Sequence, residues 1–451
     1  MPHRTPRTLV LFNYDWDRVG FARWSRDFPH DSAGFDLFSF PSNARLAGFD
    51  LERFTERLAK QARKRGWQAV ASNHEQFGAL GAALLAERMG WPGTPVAAVL
   101  ACQHKLHARQ VLEAVCPEAN TPFAPLPARY GDPAPEGLEY PLFIKPVKAA
   151  FSVLARVVHS REDLHEMTRF GAWELWVIRR LVEPFERIAR KRLPQAGTAH
   201  RLLIEAPVRA AQYNLDGYVF DGELRPIGDH GGIVASVMYP GTQAFMRFDY
   251  PSGIPAAGEA RAIEAARRFL AAVGFTHGLF NMEFFYDAST DRLTVIEFNP
   301  RMAAQFSDLY LRVDGIDLHR VGLELAWGRD PALLQRARPT VGMATSLVYR
   351  AFAPDEVPGM PSRARQAAFH AAFPDALLFR FPKPRGSMTR DFKWLGSYRY
   401  GIVHLGAADR ADLQVRCQDA SDLLGWASPC RHGQPNIPNV HDLATLVSET
   451  A

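Results

Sequence analysis

Glu283 and Glu297 stand in two apolar runs, FNMEFFYD and RLTVIEFN, and the second run continues to Asn299 and Arg301. Side chains alternate along a strand, so Asn281 and Glu283 share one face while Phe280, Met282 and Phe284 take the other. Glu297 and Asn299 likewise oppose Ile296 and Phe298. The polar stretch Asp287–Arg292 reads as the turn of a hairpin. If the turn is centred near Thr290, the two glutamates lie opposite each other. Paired carboxylates in a dry site repel at a cost on the order of several kcal/mol unless a cation lies between them. Mg2+ fits that place, because it takes one or two carboxylates and fills its other positions with phosphate oxygens. Arg301 could then hold an anion as a bidentate fork. The arrangement predicts a metal–phosphate site.

The elements that must carry this hairpin are legible around it. Residues 8–14, Trp67–Ser72 and the helices Leu51–Gly66 and Phe77–Gly90 alternate as strand and helix, which predicts a small parallel α/β domain over residues 1–100. It has no G-x-G-x-x-G, so no dinucleotide site is expected there. His104–Val115 follows as a helix, and the proline-dense stretch Pro122–Pro141 reads as loop. Tyr140–Lys148, Leu154–Val158, Leu202–Glu205 and Tyr213–Phe220 read as strands, with Asp221-Gly222 as a hairpin turn. Glu259–Val273 is an amphipathic helix. Leu347–Ala351, Ala376–Phe381 and Tyr400–His404 are further strands in a C-terminal α+β module over residues 336–451. Residues 169–201 are rich in Arg with apolar Trp173, Trp176, Leu181, Phe185 and Ile188 interleaved, and read as a helical insertion with a basic face. That face is either solvated or serves as a lid or a dock for an acidic partner.

Composition narrows the class. At 451 residues the chain should form two or three domains, and 47% hydrophobic residues can bury substantial cores. A formal charge of +5 with scattered Lys and Arg does not favour nucleic-acid binding. The N-terminal apolar run is too short for a signal peptide, and no window suits a membrane span. Cys102, Cys116, Cys417 and Cys430 have no ligand spacing and read as isolated reduced thiols of a cytoplasmic protein.

Lys145 ends the apolar strand LFIK and Lys105 opens the helix KLHARQVL. Either alone reads as a solvated lysine. In order, however, the helix Lys, the strand Lys, a small loop with Ser152, the strand-end Glu205 in LLIEAPV, and the Glu…Glu-x-Asn-x-Arg unit resemble the ATP-grasp superfamily. That resemblance covers about residues 101–335 and implies two α+β lobes holding ATP, preceded by an α/β domain and followed by a C-terminal module. It implies that Lys105 and Lys145 contact ATP phosphates and that the backbone of Glu205, Ala206, Pro207 and Val208 reads the adenine edge. It also implies that Gln212 faces the ribose, that Glu283, Glu297 and Asn299 hold Mg2+ (or Mn2+), and that Arg301 is catalytic, steadying the transferred phosphoryl group. The loop Lys148–Val153 lacks the glycines many relatives lay over the phosphates, which places more on Ser152.

The chemistry so implied is activation of a carboxylate as an acyl phosphate and its capture by an amine, with ADP and phosphate released. Positioning and charge neutralisation supply most of such a reaction, so no Ser/His/Asp or Cys/His set is required. His230, in GDHGG, is a candidate for substrate contact and otherwise a turn residue; Met302–Asp308 is a candidate lining of the acceptor site. Carboxylation through carboxyphosphate, as in biotin carboxylase, and a nucleotide-binding regulatory pseudoenzyme are the competing readings. Expected partners are ATP and small-molecule acids and amines, without nucleic acid or membrane; a homodimer is compatible with the chain.

Overall fold

The computed structural model describes residues 6–37, 42–128, 131–149, 154–239, 242, 244–384, 388–389, 391–392 and 395–431. The chain begins with a parallel sheet in which β1 (Arg7–Leu11) lies between β2 (His30–Ala33) and β3 (Trp67–Ala71). Helices α1 (Asp15–Arg23), α2 (Leu51–Arg65), α3 (Gly78–Met89) and α4 (Val96–Gln103) follow and interleave these strands. The first long helix ends where a residue without a Cβ allows it. Gly66 takes the left-handed conformation at φ 76° and its N–H closes on Ala62 O. At the other end Asp50 caps the helix through the Arg53 N–H.

After α5 (Lys105–Val115) comes a four-stranded antiparallel sheet ordered β4–β7–β5–β6. Its strands are β4 (Phe123–Pro125), β5 (Leu142–Pro146), β6 (Arg156–Val158) and β7 (Leu202–Glu205). β4 falls inside the proline-dense stretch expected to be loop. It is three residues long and lies at the sheet edge, the one place where Pro125 costs no ladder hydrogen bond. Between β6 and β7 run α6 (Arg161–Thr168) and α7 (Ala172–Arg192).

The large sheet is antiparallel throughout, ordered β13–β12–β8–β10–β11–β14–β16–β15, with β9 also paired to β8. It contains β8 (Ala211–Phe220), β9 (Glu223–Pro226), β10 (Ile233–Met238), β11 (Phe245–Tyr250), β12 (Gly278–Asp287) and β13 (Arg292–Asn299). The strands of the C-terminal region, β14 (Met343–Ala351), β15 (Leu377–Arg380) and β16 (Tyr398–Ala407), extend this sheet instead of building one of their own. Helix α8 (Ala256–Ala272) packs on β12 and β13, with Phe269 stacked on Phe298 at 3.8 Å. Helices α9 (Ser307–Asp314) and α10 (Leu318–Ala326) fill the face toward the N-terminal unit. Helices α11 (Arg363–Ala372) and α12 (Arg410–Leu424) cover the opposite face of β14 and β16.

The basic insertion is one helix, α7, and its Arg-rich end is exposed to solvent but paired with acids of the N-terminal unit. Val182, Phe185, Ile188 and Ala189 join the apolar core of the N-terminal unit. Arg187, Lys191 and Arg192 pair with Asp50 (3.0 Å), Glu52 (2.7 Å) and Glu87 (2.8 Å) on α2 and α3. The helix therefore braces the small sheet against the N-terminal unit. A second correction concerns the thiols. Cys417 and Cys430 form a disulfide, with Cα atoms 6.5 Å apart, because the turn after α12 returns the chain to that helix; Cys102 and Cys116 are buried and free. No helix among the described residues is long and apolar enough to cross a membrane.

The brace can be tested. Phe185 is fully buried, so Phe185→Ala should cost about 3–5 kcal/mol in urea unfolding followed by circular dichroism. Lys191→Ala, breaking an exposed pair, should cost less than about 1 kcal/mol. Equal effects would show that charge, and not the apolar seam, joins the helix to the N-terminal unit.

Candidate active site

The hairpin of β12 and β13 places Glu283 directly opposite Glu297 in the ladder. Register then slips: Phe284 pairs with Val295, so Ile296 has no opposite number. This bulge turns the Ile296 carbonyl outward, where Lys145 Nζ (3.2 Å) and Arg109 Nη2 (3.3 Å) donate to it. The two glutamates differ sharply in company. Glu297 Oε2 lies 3.0 Å from Lys105 Nζ. Burial alone would raise its pKa, but Lys105 and then Lys145 outweigh burial and hold the carboxyl well below its ordinary range. Glu283 has no such partner. Burial, then the charge of Glu297, push it up, so that near neutral pH the pair holds one proton. Gln212 Nε2 (3.1 Å) and Asn299 Nδ2 (3.4 Å) donate to Glu283, and Asn299 also donates to Asn281 Oδ1.

Facing the hairpin across a cleft is the small sheet. Lys145 Nζ reaches Glu205 Oε1 at 2.9 Å, and Arg109 Nε reaches the same oxygen at 2.6 Å. Burial pulls the Lys145 ammonium down to about 8 against the attraction of Glu205. Arg109 also donates to Asn120 Oδ1 and to the Val295 carbonyl, tying α5 to β7 and β13. Lys105 donates to Ala149 O at 2.9 Å, just after β5. The cleft between the lobes encloses about 890 Å3, open solvent included, within the range of small-molecule sites. Phe143, Val157, Phe245 and Phe285 give it apolar walls.

The cleft wall brings together nearly all the residues singled out from sequence. Lys105, Lys145, Glu205, Ala206, Pro207, Val208, Gln212, Glu283 and Glu297 line it; Asn299 touches it through Glu283. Ser152 lies outside the described residues. Gln212, which the resemblance turns toward a ribose, has its amide on Glu283. The Ala206 N–H and C=O are both occupied, by Pro122 O and the Thr121 hydroxyl. Arg301 is not among the residues lining this cleft; its Nε lies 3.1 Å from Glu75 Oε2 and one Nη donates to the Met302 carbonyl. His230 is a half-exposed turn residue, 3.8 Å from Asp314. Ser307 and Asp308 do not line an open acceptor site: Ser307 bonds Asp317, and Asp308 pairs with Arg312 and Arg23.

Three participants were not anticipated. Glu75 is a hub, bonded by Arg301, Gln103 Nε2 (2.8 Å) and Lys148 Nζ (3.5 Å). Lys148 lies 5.1 Å over the Phe185 ring, so the brace helix touches the site. Arg109 is the third. The polar run SNHEQ directly after the apolar strand β3 was the available signal for Glu75, since the carboxyl ends of parallel strands are where such sheets bind ligands. Together Lys105, Lys145, Lys148, Arg109 and Arg301 pair with only Glu75, Glu205 and Glu297, more basic side chains than acidic partners, an arrangement suited to a polyanion.

Among the described residues no group of three or more His, Cys, Asp or Glu could by itself enclose a metal. Two carboxylates and an amide on one strand pair fit a hard cation that takes its other oxygens from phosphates.

No protein-family model matches the chain. It is 29% identical to carnosine synthase 1 of Gallus gallus over 331 residues, 70% of this chain and 33% of that protein. Over 169 residues it is 31% identical to the Homo sapiens carnosine synthase 1, of which it spans 19%. The chain thus covers a third or less of these relatives' length. Among solved structures, an L-amino acid ligase from Bacillus licheniformis superposes with a TM-score of 0.66 at 14% identity, covering 93% of this chain and 98% of that one. A carboxyaminoimidazole ribonucleotide synthase from Aspergillus clavatus, solved with ATP, gives 0.60 at 15% identity and 93% and 98% coverage. The chain has an ATP-grasp fold. In ATP-grasp terms the four-stranded sheet and the large sheet are the two lobes, and the cleft between them carries the lysines on one wall and the paired glutamates on the other.

The shared proton has a measurable consequence. A group whose folded pKa lies above its unfolded value supplies stability at low pH that is lost as pH rises through the folded pKa. For Glu283 the window runs from about 4.5 to about 8. Without added metal, unfolding free energy should therefore fall across pH 5–8, by on the order of a few kcal/mol, and Glu283→Gln should flatten the fall. The same slope in both proteins would show that Glu283 is ionised throughout.

Proposed function

We propose that this chain is an ATP-dependent carboxylate–amine ligase. One observation carries the reading: a half-buried pair of facing glutamates lines the same cleft as Lys105 and Lys145. The fold shared with an L-amino acid ligase and the similarity to carnosine synthase 1 support it.

On this reading Lys105 and Lys145 bind the phosphates of ATP, and each leaves a carboxylate partner to do so. Lys145 leaves Glu205, which Arg109 still satisfies; Lys105 leaves Glu297, which becomes free for the cation. The adenine lies between the apolar walls, and with the Ala206 backbone occupied its edge is read at Val208. Glu283, Glu297 and Asn299 would hold Mg2+, which supplies charge neutralisation at the phosphate oxygens. Gln212 keeps Glu283 oriented.

An oxygen of the substrate carboxylate attacks the γ-phosphorus, the bond to the β-phosphate oxygen breaks, and ADP leaves. Arg301, its Nε anchored on Glu75, presents the rest of its fork to the transferred group or the acyl phosphate. The amine nitrogen then attacks the acyl carbon, phosphate departs, and the nitrogen gives up a proton as the amide forms. Water must be kept out while the acyl phosphate exists, a task for closure of the small lobe over the cleft.

The reading is tested by ATP turnover over a panel of carboxylic and amino acids, with and without amines. ADP and phosphate that appear only when acid and amine are both present support it. Bicarbonate-dependent turnover would replace it with carboxylation, and AMP with pyrophosphate would exclude an acyl phosphate. Glu297→Ala, removing a phosphate-site carboxylate, should lower kcat by at least about 100-fold; undiminished turnover would refute the site.

A further inference from the structure

The same sheet carries a second like-charged pair. On β14 and β16, Arg350 is directly opposite Arg399, beside a bulge at Tyr349/Arg350. Opposed like charges destabilise a sheet unless something of opposite sign lies between them. Neither guanidinium forms an ion pair with a carboxylate among the described residues. Asp391, whose charge both feel, is held by Lys383 at 2.7 Å, and Asp15, near Arg399, is exposed and lies 3.5 Å from Arg18. Burial, then the facing Arg399, pull Arg350 down to about 9.

The surroundings are built to hold the two forks in place. Arg350 Nε donates to Phe245 O (2.9 Å) and its Nη1 to Ser397 Oγ (3.0 Å). Arg399 lies 4.5 Å from the Phe381 ring centre and 5.8 Å from that of Trp16. The Trp16 indole N–H is buried and has no hydrogen-bond partner among the described residues, a donor left over beside Arg399. Arg350 shares a face of β14 with Ser346, which accepts from Gln305 four residues past Arg301. A wall of side chains links the two places: Arg301 bonds Glu75, next to His74; His74 stacks on Tyr14 at 5.0 Å, and Tyr14 lies 5.3 Å from Trp16.

We propose that Arg350 and Arg399, walled by Trp16 and Phe381, form the pocket for a free carboxylate on the amine-bearing substrate, so that the acceptor is an α-amino acid or a short peptide. The assignment rests on the ligase reading and specifies its acceptor. A carboxylate is planar and bidentate, as paired guanidiniums prefer. It is not the carboxylate that becomes activated, because that one must meet the phosphate between Arg301 and the glutamate pair. The wall from Arg301 to Trp16 thus runs from the reacting end of the acceptor to its carboxylate end.

The test compares α-amino acids with their carboxamides as acceptors, over the donor panel above, by ADP release. Free acids should be preferred by at least about 10-fold in kcat/KM, because an amide leaves the guanidiniums unpaired. In Arg399→Gln that ratio should fall to near one, chiefly through KM, and Arg399→Lys should retain part of it. A second readout does not need turnover: the preferred free amino acid should raise the unfolding temperature of the unmodified protein and not that of Arg399→Gln. Amine-dependent turnover without acid-over-amide preference would overturn this assignment and leave the ligase reading standing. Loss of activity in Arg399→Gln confined to donors with a second carboxylate would also overturn it. Absence of amine-dependent ADP from the unmodified protein would sink both.

Discussion

Glu283 and Glu297 are neighbours because a hairpin register makes them so, and neither can move away without unpairing β12 from β13. Two carboxyl side chains on opposed, half-buried strand positions, with Cβ atoms about 5 Å apart, set the requirements for everything around them. One is neutralised by Lys105 and the other keeps a proton with Gln212 and Asn299 donating to it. Lys145 and Arg109 are themselves buried cations, and each needs Glu205. Arg301 and Lys148 need Glu75, which the N-terminal unit supplies. The network spans both lobes and the N-terminal unit, so the three units are joined at their most polar point, where removing one partner strands another charge.

On the proposed reading that network ties ligand binding to lobe geometry. In the structure Lys105 and Lys145 satisfy carboxylates that, on the proposed reading, would be satisfied by a cation and by Arg109 alone. Exchanging these partners moves charge across the cleft without creating an unpaired buried group at either end. The backbone cooperates. The bulge at Ile296 supplies a carbonyl to the cations on the small lobe, holding the walls together through a group that does not titrate.

The hairpin register was legible because strand alternation and a polar turn are local properties, and they fix which residues face each other. The end of α2 at Gly66 and the strand carrying Lys145 were legible for the same reason. Glu75 was not: its partner Arg301 lies 226 residues away, and no local pattern reports such a contact. Arg109 sits in an amphipathic helix as a polar residue, and only tertiary packing buries it. β4 has too few residues to carry a period, and Pro125 argues against a strand. The basic face of α7 is exposed, as its charge pattern suggested, but its ion pairs were not legible because the acids lie over a hundred residues earlier. The disulfide joins cysteines 13 residues apart with no motif between them.

The large sheet carries two like-charged pairs of opposite sign, glutamates on β12 and β13 and arginines on β14 and β16. Each is fixed by register, so neither pair can relax by sliding, and rotamer changes only exchange one repulsion for loss of the hydrogen bonds that hold the side chains. At the glutamates Lys105 and a proton offset the repulsion, while at the arginines no carboxylate among the described residues forms an ion pair, and on the proposed reading the two pairs take two different ligands. On that reading the glutamate pair, close to the lysines of the small lobe, takes a cation that brings phosphates with it. The arginine pair, lined by aromatic rings and far from those lysines in the strand order, selects a small organic anion with an apolar body. Because the C-terminal strands extend the sheet that carries the glutamate pair, both pairs stand on one continuous sheet. Which bond is made then depends on how far apart that surface holds the phosphate and the carboxylate, a distance set by strand order and not by loops.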